Sequence, residues 1–372
     1  MTTTLSHLLR LSLLAAALVF AGAPSARAQS LPPALVTKAT LTDAEKATVE
    51  QWLTPQLAKL SSDDPLVIKA GRDSILQPLR SGGKAVSVQF RTEMNRVAAP
   101  LLGPMVADKR ELVAANALRV AGEIAYGNLT ATLLSGLADA RPGVQYAALF
   151  GIRQTFDASA PGPGGAAPVA SITPQNVIML MQGLQTLGST TTDPRLLDGG
   201  ILALEGAIGV PNSTLPGTRQ KAISTLAALV SAQVRLVVKD PKASAAMLSP
   251  LQRAASTARS VLTTQTGDAL TTQENQDLAA IGGQLLALAA LAAGQDGIDA
   301  EALISLVQTS ENVIYLTGIN LSSRVEDLRL AEGLRSGGAA SLRAAVLILV
   351  GPDGRLTQAP FSIAAARFKL VP

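Results

Sequence analysis

Ser81 and Lys84, in the run Ser81-Gly82-Gly83-Lys84, are the residues best spaced for chemistry in this chain. A lysine three positions after a serine lies one helical turn away, close enough to take the hydroxyl proton and leave a nucleophilic oxygen. The two glycines between them suit an interhelical loop equally well. Asp63 and Asp64 are adjacent carboxylates that could divide acid and base duties. Their setting, Ser61 to Lys69, reads as a helix start, where acids favour the positive end of the dipole. The run of glycines at Gly162 to Gly165 lacks the lysine and the preceding strand of a phosphate loop, and Trp52 and Tyr315 read as packing residues.

The one histidine is His7, and there is no cysteine. Beyond residue 7 this excludes a Ser-His-Asp triad, a thiolate nucleophile and zinc sites that need imidazole or sulfur. Asp-rich calcium loops are absent as well, so no cofactor and no metal are expected. The Ser81–Lys84 spacing resembles that of serine acyl-transfer enzymes related to penicillin-binding proteins. Ser310-Glu311-Asn312 resembles their second box, but the Lys-Thr-Gly box is missing, and the lysine after Asn312 is Lys369. A hydrolase or transferase of the cell envelope working through Ser81 and Lys84, or through paired carboxylates, is therefore the alternative expectation rather than the first.

Arg10, the apolar run Leu11 to Ala21 and the Ala26-Arg27-Ala28 triplet read as a secretory leader over residues 1–28, cleaved before Gln29. The apolar run falls short of the roughly 20 residues of a spanning helix. The expected location is periplasmic or extracellular, with no membrane span once the leader is removed. Cleavage removes Arg10 and Arg27, so the formal charge of +4 falls to +2. Near-neutral charge and an aromatic content of 3% exclude a dedicated nucleic-acid binder, which needs a basic stripe or stacking rings.

A hydrophobic content of 48%, dominated by alanine and leucine, predicts an all-α protein packed by small aliphatic side chains. Thr42 with Glu45, Thr271 with Glu274 and Ser323 with Glu326 have capping-box spacing, and Thr173-Pro174 is a further helix start. One helical block is expected over 29–156 and another over 174–350, separated by a Pro/Gly/Ala-rich linker at 157–173 and followed by an irregular tail at 351–372 that wraps over the last helices or frays. Residues 234–239 and 345–350 are readable as helix or strand.

The chain also repeats itself. With Asp108 set on Asp139, Ala107 falls on Ala138, Arg110 on Arg141, Val113 on Val144 and Ala117 on Ala148. A fixed offset across helix, turn and helix is the mark of stacked hairpins. Residues 133–152 resemble a HEAT repeat, with Asp139, Pro142 and Val144 in its D-x-x-P-x-V turn, and Asp193-Pro194-Arg195 introduces a further copy. The resemblance implies a HEAT-like (armadillo-type) α-solenoid with degenerate repeats. The family's arginine after the valine is replaced by Gln145 here and by Ala114 in the earlier copy, so its usual inter-repeat ladder is not expected from that position. Asp139 is expected to cap the helix that Pro142 begins.

Lys109, Arg110 and Arg141 occupy equivalent turns, so stacking would align them along one edge, where an acidic partner could dock. Solvated turn charges are the plainer reading of the same residues. The expected function is an exported, non-catalytic scaffold for protein–protein interaction or envelope structure.

Overall fold

Helix boundaries fall where hydroxyl, carboxylate and proline side chains set them. A computed structural model describes residues 30–82, 86–161, 170–238, 241–264, 269–321 and 328–368. The expected leader, Lys84 and the Ser323/Glu326 pair lie outside the described residues. Thr42 and Thr271 each accept the backbone N–H of the glutamate three residues on, and each glutamate returns a carboxylate oxygen to the threonine N–H. Thr173 does the same with Asn176, ahead of Pro174.

Among the described residues there are fourteen α-helices. They are α1 (Pro33–Thr37), α2 (Asp43–Lys59), α3 (Pro65–Gly82), α4 (Val88–Val106), α5 (Glu111–Ile124), α6 (Thr130–Leu137) and α7 (Pro142–Ser159), then α8 (Pro174–Thr190), α9 (Pro194–Ile208), α10 (Thr218–Val237), α11 (Pro241–Thr263), α12 (Thr272–Ala292), α13 (Ala300–Asn320) and α14 (Leu330–Val350). The stretches 234–237 and 345–350 are helical, ending α10 and α14. No strand occurs among the described residues; a single parallel bridge joins Tyr126 and Ser171.

From α2 onward each helix packs on its neighbour in sequence and on the helix two places along, while α1 lies on α3 and α4. This produces two layers: α2, α4, α6, α8, α10, α12 and α14 in the first, and α3, α5, α7, α9, α11 and α13 in the second. The molecule is an α-solenoid, with a core of leucine, alanine, valine and isoleucine running its length between the layers. α5 and α7 approach closely where Gly122 faces Gly151 and an added side chain would meet backbone.

The expected linker does not interrupt the stack. α7 continues to Ser159, past the block boundary at Phe156, because Thr155 and Phe156 are buried and the helix keeps a core face to that point. α7 packs on α9, and α6 on α8, across the segment. On its far side Ser171 donates to the Ala125 carbonyl and accepts from the Gly127 N–H. The tail turns back over the stack: Leu356, Phe361, Ile363 and Phe368 are buried, Gln284 donates to the Arg367 carbonyl, and Arg367 pairs with Asp277 at 3.0 Å.

Candidate interaction surface

The hairpin corners of the second layer share one construction. In each of Asp108-Lys109-Arg110, Asp139-Ala140-Arg141 and Asp193-Pro194-Arg195, the aspartate accepts the arginine's backbone N–H at 2.8 to 2.9 Å, and the guanidinium folds back onto the same carboxylate. The arginine hydrogen bonds hold each carboxyl below its ordinary 3.8; for Asp108, bonded by the Arg110 side chain and N–H, the value falls to about 2. Asp139 therefore does not cap α7 through a first-turn amide. Pro142 at the first helical position has no N–H, and the carboxylate instead closes the turn one residue earlier, on Arg141.

Two of these arginines also reach the preceding corner. Arg110 donates through Nη1 to the Ser61 and Ser62 carbonyls and to Asp63, and Arg141 donates to the carbonyls of Asp108, Lys109 and Val106. Both guanidinia thus fasten one repeat to the next, the role that the HEAT resemblance assigned to the position held by Gln145. Gln145 itself donates to the Leu137 carbonyl inside its own hairpin. Lys109 is exposed, and its carbonyl accepts from Arg141 at 3.1 Å. Arg195 breaks the series: its side-chain bonds among the described residues go to Asp193 alone, and 79% of the side chain is exposed.

Beside Arg195 the second layer opens into a groove of about 490 Å³ that crosses α7, α9 and α11. Its walls include Pro142 and Tyr146 from α7, Arg195 from α9, and Ala246, Pro250 and Arg253 from α11. Tyr146 is 46% exposed, and Arg253 pairs with Asp198 across the floor. Pro250 has no N–H and so cannot donate to the Ala246 carbonyl four residues earlier. The groove thus offers an aromatic side chain, prolines and two guanidinia, one of them paired with Asp198, to an extended chain. The Glu111 carboxylate lies against Gly143 of the groove wall, in the space that a side chain there would take.

A second hollow of about 580 Å³ lies among the opposite helix ends, lined by Glu205, Thr257, Asn275 and Asn320. Its polar groups are largely committed to one another: Arg219 to Glu274 and the Ala269 carbonyl, Asn320 to Asn275. Of the proposed nucleophile pair, Ser81 is exposed at the end of α3 and donates to the Gln77 carbonyl, whereas Lys84 lies outside the described residues. Asp63 takes part in the corner rung with Arg110, and Asp64 accepts the Leu66 N–H as a helix-start residue.

No protein-family profile matches the chain, and no curated protein matches its sequence. Among solved structures it is similar to the crystal structure of an engineered protein, at 13% identity over 72% of this chain and 97% of that one, with a TM-score of 0.41. It is also similar to a designed armadillo repeat protein, at 14% identity over 71% of this chain and 99% of that one, with a TM-score of 0.38.

Proposed function

We propose that this chain is an exported, non-catalytic scaffold that holds an extended segment of a protein partner against the second layer of its solenoid. The observation that carries this reading is the groove across α7, α9 and α11, where three helices of the second layer supply an aromatic side chain, prolines and two arginines. Arg195 lines the groove, and Arg141 immediately precedes the lining residues Pro142 and Gly143. Acidic residues of the partner would meet Lys109 and Arg195, while an aromatic or proline side chain would lie on Tyr146. Export rests on the leader-like residues 1–28.

The test is affinity capture from envelope extracts, comparing the native chain with a Tyr146→Ala, Arg195→Glu double variant and with Lys109→Glu. Lys109→Glu should leave thermal melting unchanged; Tyr146 lies near Gly199 of α9 and Arg195 pairs with Asp193, so melting of the double variant is followed alongside and recovery is compared at a temperature where it stays folded. Partner recovery should drop about tenfold or more for the double variant, the loss of one good aromatic or charged anchor. Identical partners recovered at identical yield would defeat the reading. An N-terminal residue of Gln29 on protein recovered outside the cytoplasm checks export separately.

A further inference from the structure

The two ends of the stack are unlike. At the N-terminal end α2 exposes Asp43, Glu50, Gln51 and Thr54, the polar cap that a finite solenoid needs to stay soluble. At the C-terminal end the stack closes on α14, which bends at Gly338, where φ is 66°. Past the bend, Leu342, Val346 and Leu349 form the buried stripe against the rest of the stack. The opposite face carries Ala340, Ala344, Leu347 and Ile348, with Leu347 65% and Ile348 73% exposed. Arg343 is the one charged residue between Ser336 and Gly351, and its guanidinium is turned to the Ala290 and Ala293 carbonyls. Residues 330–357 are long and apolar enough to cross a membrane by length and composition, with 17% of the apolar window buried.

We propose that this bare face of α14 is covered by α14 of a second copy of the chain, giving a tail-to-tail dimer about a twofold axis. The first layer builds by placing each helix against the last, α10 to α12 to α14, and the exposed face continues that interface outward. Ala340 and Ala344, one turn apart, admit a second helix at the close end of the usual 8–10 Å spacing. Leu347 and Ile348 then supply the apolar contact. The polar α2 end offers no complementary surface, so the contact closes on itself rather than propagating into a filament. A lipid surface is the poorer fit, since it is held by a basic rim. Here Arg329, Glu332 and Arg335 precede the face and Asp353 and Arg355 follow it, a net charge of +1 rather than a basic cluster.

Sedimentation velocity on the full chain tests this. The native protein should be dimeric at concentrations of about 10 μM and above, as a micromolar or tighter contact requires. Leu347→Arg, Ile348→Arg protein should dissociate at least tenfold more readily while keeping its helical circular dichroism. Because the chain has no cysteine, single substitutions provide a second readout that does not depend on the arginine variant folding. Ile348→Cys should form a symmetric disulfide under mild oxidation, and Gln51→Cys should not. A native chain that stays monomeric at about 100 μM would overturn the proposal, as would equal cross-linking at both cysteines. So would monomers that bind vesicles of phosphatidylethanolamine and phosphatidylglycerol through the same two side chains.

Discussion

Replacing Gly122 by alanine should destabilise the protein, although alanine is the better helix former. At this contact an added Cβ would land on Gly151 Cα and lie 2.5 Å from Gly151 O and 2.7 Å from Gly151 C. Those are backbone atoms, so no rotamer change relieves the overlap; α5 and α7 must separate along their whole contact. Overpacking of this kind costs about 1–3 kcal/mol, against a propensity gain of about 1 kcal/mol. The expected net loss is about 0–2 kcal/mol. Gly200→Ala is the control: it lies within α9, an added Cβ meets nothing within 4 Å, and the propensity gain should appear nearly undiminished. Urea unfolding followed by circular dichroism should therefore move the two midpoints in opposite directions. Hydrogen exchange should locate the weakening of Gly122→Ala in α5 and α7. Adding Gly151→Ala to Gly122→Ala should cost less than it does alone, because the helices have already moved apart. A Gly122→Ala midpoint at or above that of Gly200→Ala would refute the close-packing reasoning.

Other consequences are testable on the same footing. Arg219 and Glu274 form a buried pair at 2.8 Å with side chains 7% and 2% exposed; Arg219→Met, which strands the carboxylate, should cost about 3–5 kcal/mol by urea unfolding. Arg141→Lys should lose most of what Arg141→Ala loses, about 1–3 kcal/mol, because an ammonium cannot span Asp139 and three carbonyls of the preceding corner; equal stability of the lysine variant and native protein would contradict this. The corner aspartates titrate below 3.8 when folded, so their stabilisation is complete above that pH and is withdrawn as the pH falls through the folded values, about 2 for Asp108. An acid titration should find the Asp108→Asn, Asp139→Asn, Asp193→Asn variant less stable at neutral pH but flatter than the native chain between pH 3.8 and about 2.

The helical class and the hairpin repeat were legible because they rest on local signals. Thr42 with Glu45 and Thr271 with Glu274 cap as their spacing predicts, and the offset that superposes Asp108 on Asp139 corresponds to two equivalent corners. The rungs made by Arg110 and Arg141 were not legible, since their acceptors are backbone carbonyls of the previous corner, which leave no trace in residue type. Sequence shows such arginines only as turn charges. The groove was hidden for a different reason: Pro142, Arg195 and Arg253 come from three helices whose register is fixed by stacking alone. The outer face of α14 was missed because an alanine- and leucine-rich helix reads the same whether one side or all sides are covered.

The corner rungs join residues only 32 to 49 positions apart, and from α2 to α14 each helix packs chiefly on helices one or two places away. Nothing in the architecture needs the last hairpin before the first can form. As the polypeptide leaves the ribosome or a translocation pore, each pair can settle on the one before it, so newly made lengths spend little time with naked hydrophobic flanks awaiting distant mates.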